Sequence, residues 1–152
     1  MTEIAVICRE HLCAVAEIEK LCFFEPWSVE SLQILTRDGG IGFVVLVDGV
    51  VSAYGGMLCV LDEGQITNIA THPDFRRRGL GRAVVNALAE YAQKNGITGI
   101  FLEVRESNSA ARSLYAECGF EEIGSRKRFY RAPVEDAVLM RLSIAQRSEA
   151  DT

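Results

Sequence analysis

Long apolar runs are missing from this sequence. Its most hydrophobic stretches, VVLV at 44–47 and MLCVL at 57–61, are strand-sized, far short of the roughly 20 residues that cross a bilayer as a helix. The opening MTEIAVICREH has no basic stretch ahead of an apolar one and carries acids early, so no secretory signal is expected. Metal-type cysteine spacing is missing too. Cys8, Cys13, Cys22, Cys59 and Cys118 are odd in number and contain no C-x-x-C pair. That argues against a disulfide framework and against zinc, and for a reducing cytoplasm. Two distant histidines add too few ligands for another metal. A basic surface is also absent: the net charge is −5 and the pI is near 5.1, which disfavours general nucleic-acid binding. Repeats, low-complexity tracts and linkers are not found. What remains is a chain of 152 residues, 49% hydrophobic and 24% charged, an ordinary composition for one soluble domain with a real core.

Hydrophobic periodicity divides that chain. IAVI opens as a short strand, and Leu12, Val15, Ala16, Ile18, Leu21 and Cys22 recur at helical spacing over residues 10–22. FEPWSVESLQIL breaks at Pro26 and restarts with Ser28 as N-cap and Glu30 in the first turn. GFVVLV and VVSAYGGMLCVL flank Asp48-Gly49, the favoured chemistry of a two-residue hairpin turn. A turn at DEG (62–64) leads into a strand QITNIAT, ended by His72-Pro73. From Leu80, apolar residues at Ala83, Val84, Ala87, Leu88, Tyr91 and Ala92 form one helical face, with Asn95-Gly96 as the stop. TGIFLEVRE alternates as a strand, with Ile100, Leu102 and Val104 on one face and Phe101, Glu103 and Arg105 on the other. A short helix follows, capped near Ser107 or Asn108 and stopped at Gly119, and strands around FEEIG and EDAVLMRL close the chain. The order is βααβββαβαββ. It predicts a single α/β domain over residues 1–143 with a mixed, largely antiparallel sheet, and a disordered tail over 144–152.

One segment departs from the acidic background: RRRGLGRAVVNAL at 76–88 puts Arg76, Arg77, Arg78 and Arg82 around two glycines at a helix entrance. A helix N-terminus offers unpaired N–H groups and a positive dipole end, which attract phosphate oxygens. Gly79 and Gly81 would let the backbone approach such a ligand, and the arginines add positive field. There is no GxxxxGK[ST] loop, and no GxGxxG follows the first strand. The alternative is a solvated basic turn before an ordinary helix.

Arg76-x-x-Gly79-x-Gly81 after a strand ending NIATHPDF resembles the acetyl-CoA motif of the GNAT N-acetyltransferases. LEVRESNSAARSLYAECGFEEIG is similar to that family's second signature, through Asn108, Ala111, Leu114, Tyr115, Gly119 and Phe120. The element order matches as well, and the resemblance covers residues 4–142. PWS at 26–28, NIA, RRRGLGRA, LEVRESNSAA and RFYRAPVEDAVLMRL resemble the RimI-type branch, which acetylates the N-terminal alanine of a small-subunit ribosomal protein. Thr71 and Arg76 depart from the usual pattern, but neither change removes a backbone contact.

The resemblance implies a set of roles. Arg77, Arg78, Gly79, Leu80, Gly81 and Arg82 would hold the pyrophosphate of acetyl-CoA. Ile69, Ala70 and Thr71 would offer backbone groups to its pantetheine arm and thioester carbonyl where the sheet splays. Asn108 would hold the same arm, or serve as a plain N-cap. Glu103 would be the general base; its other reading is an exposed strand glutamate bridged to Arg105. Tyr115 would give a proton to the CoA sulfur, or pack in the core, and a phenol can do both. Trp27 and the pair Phe129–Tyr130 are either core plugs or walls of the peptide site. Cys118, at a helix C-terminus, faces the wrong dipole end for a thiolate nucleophile, and core packing is the stronger reading. His72 reads as a turn residue.

The expectation is therefore an acetyl-CoA-dependent N-acetyltransferase, without a metal, acting on a peptide or protein N-terminus in a ternary complex. It is expected to be a cytoplasmic monomer, with neither nucleic acid nor membrane as partner. The competing readings are a related enzyme acting on lysine, a polyamine or an antibiotic, and a CoA-binding sensor with a silent site. Glu103 and Tyr115 together argue against the sensor, because binding alone needs neither.

Overall fold

Asp48 and Gly49 take positive φ values of 50° and 81°, the conformation that lets two residues reverse the chain between twisted strands. They join β2 (Gly40–Val47) to β3 (Val50–Val60). The structure, a computed structural model, describes residues 1–146. Strand β1 (Thr2–Val6) pairs with β2, and β3 pairs with β4 (Glu63–Thr71). Beyond β4 come β5 (Gly99–Arg105), β7 (Val134–Ser143) and, at the far edge, β6 (Glu121–Arg131). With helices α1 (Leu12–Cys22), α2 (Val29–Leu32), α3 (Leu80–Lys94) and α4 (Ser109–Glu117), the element order is the expected βααβββαβαββ.

Successive residues of a strand point to opposite faces, and here both faces are covered. Val44 and Tyr54 join α1 and α2 in one core, with Leu12, Val15, Ile18 and Leu32. Val45 and Ala53, their sequence neighbours, join the other core with Val84 and Leu88 of α3 and Tyr115 of α4. The buried stripe of α3 is Leu80, Val84, Val85, Leu88 and Ala92, so Val85 replaces the expected Ala83 and Ala87, which lie half-buried at its edge. No described helix is long and apolar enough to cross a membrane.

Two irregularities shape the middle of the sheet. β4 and β5 form its parallel pair, and the pairing covers Glu63↔Gly99, Gly64↔Ile100 and Gln65↔Phe101 before the strands part. On the other side of β4, the register passes from Met57↔Ile66 to Gly55↔Ile69. Thr67 and Asn68 therefore both stand opposite Gly56, a bulge that bends the strand and re-aims its side chains.

The structure moves several expected boundaries. The turn expected at residues 62–64 is one residue earlier: Leu61 takes φ 55° and β4 starts at Glu63. The strand expected around FEEIG runs on to Arg131, because β7 offers a ladder from Glu121↔Arg141 to Arg131↔Val134. The tail expected from residue 144 is tied down as far as Gln146. Ile144 donates its N–H to the Thr98 carbonyl at 2.9 Å, and Gln146 Nε2 donates to the Ile97 carbonyl at 2.8 Å. Residues 147–152 lie outside the described residues.

Candidate active site

Where β4 and β5 separate, a cleft of about 500 Å³ opens. Ile66–Ile69 of β4 and Leu102–Arg105 of β5 line two sides, and Asn108, Ala111 and Tyr115 of α4 a third. Phe23, Phe24 and Trp27, after α1, and Phe129, Tyr130 and Arg131 of β6 complete the lining. The structure thus gathers Glu103, Tyr115, Asn108, Trp27, Phe129, Tyr130 and Ile69 around one space. Ala70, Thr71 and the arginine loop lie outside this cleft, at the end of β4. From Ile66 onward, the β5-facing edge of β4 has no partner in the parallel ladder, so its backbone is available to a ligand.

Glu103 is not bridged to Arg105. It accepts a hydrogen bond from Gln65 Nε2 at 2.9 Å. The Arg105 guanidinium is committed elsewhere, to Glu135 at 3.3 Å and to the carbonyls of Pro133 and Ala132 at 2.9 and 3.2 Å. It also stacks over the Tyr130 ring, 4.3 Å from its centroid. Burial pushes the Tyr130 phenol up to about 12; Glu103 adds to the rise and Arg105 opposes it. Tyr115 is 7% exposed and packs on Phe120 with ring centroids 5.7 Å apart. Burial, followed by the nearby Tyr130 and Cys118, raises its hydroxyl well above the ordinary tyrosine value. A phenol so placed stays protonated at any physiological pH. The ring of Tyr115 is therefore part of the core, and the residue also lines the cleft.

Trp27 is half-buried against the α1–α2 core and also lines the cleft. Phe129, 41% exposed, meets Tyr130 edge-on at 5.0 Å. A bulge between Arg126 and Tyr130 sets this pair, and Asp136 fixes it by accepting the Arg128 N–H at 2.8 Å. Asn108 is the N-cap of α4: its Oδ1 accepts the Ala111 N–H at 3.2 Å. The oxygen is thus taken by the helix, and the amide Nδ2 is the part left for a ligand. Cys118 ends α4 with its thiol raised chiefly by burial, which disfavours a thiolate. His72 Nδ1 accepts the Asp74 N–H at 3.1 Å, a turn role.

The arginine loop ends in Gly79, the N-cap of α3, with φ 78° and no side-chain cap. The first amides of α3 are therefore unpaired at the positive end of the helix. A Cβ on Gly79 would meet nothing within 4 Å, whereas one on Gly81 would lie 3.0 Å from Leu114 Cδ2. The missing side chain of Gly81 thus also makes room for α4, beside the role expected of its backbone. Arg82 is also partly committed, bridging to Glu117 of α4. Arg78 lies over the Phe75 ring at 5.1 Å, and Arg77 and Arg78 are exposed.

One residue behind the site was not among those expected, although its place at helical spacing from Leu12, Val15 and Ala16 marks an acid on an apolar face. Glu19, on α1, is 0% exposed. Its carboxylate accepts the Trp27 N–H at 2.9 Å, the Tyr54 hydroxyl at 3.0 Å and Asn68 Nδ2 at 2.9 and 3.2 Å. Burial raises its pKa while these donors oppose the rise. The group ties the aromatic segment after α1 to the bulge of β4.

Known proteins are similar to this chain in sequence and fold. The acetyltransferase (GNAT) family model matches residues 12–120. The chain belongs to this family. It is 35% identical over 147 residues to the [ribosomal protein bS18]-alanine N-acetyltransferase of Escherichia coli, covering 95% of this chain and 99% of that one. It is 32% identical over 144 residues to the enzyme of the same description from Haemophilus ducreyi, covering 91% and 98%. The crystal structure of the ribosomal-protein-S18-alanine N-acetyltransferase from Escherichia coli superimposes with a TM-score of 0.90 at 34% identity, over 98% and 97% of the two chains. As a GNAT protein with full-length relatives of this kind, the chain is an acetyl-CoA-dependent N-acetyltransferase.

Proposed function

We propose that this GNAT enzyme acetylates the α-amine at the N-terminus of a protein, and that its substrate is the N-terminal alanine of a small-subunit ribosomal protein. The observation that carries the reading is the meeting of Glu103 and Tyr115 in one aromatic-walled cleft, in a chain 35% identical to an alanine N-acetyltransferase over nearly its whole length. An N-terminal amine has a pKa of about 7.7–8.0, against about 10.4 for lysine. It is partly neutral at physiological pH, and a modest base suffices.

The chain's own groups fit acetyl-CoA. The uncapped amides of α3 and the exposed Arg77 and Arg78 suit its pyrophosphate, and the β4 edge at Ile69–Thr71, where the Thr71 carbonyl meets only the weak Cys22 thiol donor, suits the amides of its arm. Bound there, acetyl-CoA supplies an acetyl thioester. Glu103, directly or through water, takes the proton from the attacking amine. Tyr115 holds a proton at its hydroxyl for the departing sulfur. Trp27, Phe129 and Tyr130 wall the path of the peptide.

A panel of short peptides tests this with acetyl-CoA and CoA release as the readout. It includes free N-termini beginning with alanine and with other residues, and a lysine-containing peptide with a blocked N-terminus. Turnover is expected on the alanine peptide and not on the blocked one. Turnover confined to the blocked peptide overturns the reading.

A further inference from the structure

Asn68 has no part in the roles assigned so far, yet it lines the cleft that holds Glu103 and Tyr115. It stands in the β4 bulge opposite Gly56, where regular strand alternation no longer dictates which way a side chain points. Its amide nitrogen lies 2.9 and 3.2 Å from the two oxygens of the buried Glu19 carboxylate. When ionised, Glu19 accepts and cannot donate, and the amide is then locked in one orientation. Turned over, it would set its own oxygen against the two carboxylate oxygens. The carboxylate itself is held on both sides, by the Trp27 N–H and the Tyr54 hydroxyl, and has little freedom to follow a flip. The consequence falls on Asn68 Oδ1, which accepts no hydrogen bond from the described residues. The oxygen is not among the buried unpartnered atoms of the described residues, so it stands open to a donor that enters the cleft.

We propose that Asn68 Oδ1 binds an N–H of the incoming α-amine, with Glu19 as the positioning residue that fixes its direction. A neutral primary amine carries two N–H donors and one lone pair. With one N–H on Asn68 and another directed to Glu103, the lone pair is left for the thioester carbon. The α-amine is thereby bound by a neutral acceptor, which does not favour the protonated form as a carboxylate would. The inference rests on the reading of the cleft as the site of a protein N-terminus.

Calorimetry on the protein saturated with CoA tests it, at a pH near 9 where the α-amine is mostly neutral. Two peptides are compared: one beginning with alanine, and its des-amino analogue beginning with a propionyl group. The wild-type protein should prefer the amine, and Asn68→Ala should reduce that preference by about tenfold. Glu19→Gln should reduce it as well without changing the affinity for CoA, because a glutamine offers donors and frees the Asn68 amide to turn. A preference left intact in Asn68→Ala overturns the proposal. Should either variant fail to fold, the side-chain amide signals of Asn68 in the nitrogen-15-labelled wild-type protein decide. They should shift with the alanine peptide and not with the des-amino analogue; equal shifts overturn the proposal. Binding of neither peptide to the wild-type protein would instead refute the N-terminal reading of the cleft.

Discussion

Gln65 donates to Glu103 at 2.9 Å across the line where β4 and β5 separate. Gln65 is the last β4 residue in the parallel ladder, opposite Phe101, and Glu103 stands two residues further along β5. The bond holds the carboxylate on the cleft side while Glu135 and two carbonyls occupy Arg105. No cation neutralises Glu103 among the described residues, which suits a base.

Glu103→Gln should lower kcat on an alanine peptide by a factor on the order of 10². The loss should shrink toward high pH, where the amine, with a pKa of about 7.7–8.0, deprotonates unaided. Gln65→Ala should give a smaller loss with the same pH trend, since it frees the carboxylate without removing it. Initial rates from pH 6 to 10 check both. A deficit that does not change with pH would assign Glu103 a structural role.

Tyr115→Phe should separate chemistry from stability. The ring supplies the packing on Phe120, and the hydroxyl makes no hydrogen bond to the described residues, so the melting temperature should scarcely move. Turnover should fall by a factor on the order of 10², because the departing thiolate loses its proton source. Thermal unfolding beside steady-state kinetics checks the pair. A large loss of stability with unchanged turnover would leave Tyr115 as packing alone.

What the sequence made legible was local or periodic. The Asp48-Gly49 turn, the Ser28 cap, which accepts the Ser31 N–H at 3.1 Å, and the alternation that buries Ile100, Leu102 and Val104 each depend on neighbours in the chain. Glu19 did not show, because its partners are Trp27, Tyr54 and Asn68, up to 49 residues away. Its spacing from Leu12, Val15 and Ala16 puts it on the apolar stripe of α1, but nothing local names the donors that a buried acid there would need. A second reason for glycine at Gly81 was not legible, since only the packing of α3 on α4 brings Leu114 against it. The length of β6 was hidden for a similar cause: its residues are exposed almost throughout, and only its partner β7 makes it a strand.

Glu19 should make stability depend on pH in a definite direction. Its folded-state pKa is raised, mainly by burial, so the folded chain takes up its proton at a higher pH than the unfolded chain. The favourable contribution of the protonated form is fully present below the unfolded value of about 4.3 and is lost as pH rises through the folded value. Compared with Glu19→Gln, the wild-type protein should therefore gain relative stability as pH falls through that window. Glu135 and Asp136, both held low by hydrogen bonds, work the other way in both proteins and cancel in the difference. Urea unfolding of the two proteins from pH 7 to 4.5 measures it; a difference that is flat or of opposite sign contradicts the burial argument.

Gly79→Ala should weaken acetyl-CoA more than it weakens the fold. An alanine Cβ there meets no described atom within 4 Å, so the cost to folding is that of a left-handed residue at φ 78°, about 1 kcal/mol. The same Cβ would stand where a pyrophosphate approaches the uncapped amides of α3. The affinity for CoA should fall by about tenfold, read by calorimetry. Gly81→Ala should show the opposite balance, since its Cβ presses on Leu114. Equal CoA affinity in Gly79→Ala and wild type would refute the loop as the pyrophosphate site.

The order of reaction follows from the thiols. A covalent acetyl-enzyme would need a reactive cysteine at the cleft. Cys118 has its pKa raised by burial at the unfavourable end of a helix. Cys22, which does line the cleft, is also raised by burial and donates to the Thr71 carbonyl at 3.4 Å. Neither offers a thiolate at neutral pH, so both substrates must be bound together and the amine must attack the thioester directly. Initial-rate lines at varied peptide and acetyl-CoA concentrations should intersect, and the double variant Cys22→Ala, Cys118→Ala should keep the intersecting pattern. Parallel lines, with an acetyl group trapped on either cysteine after acetyl-CoA alone, would establish a ping-pong route instead.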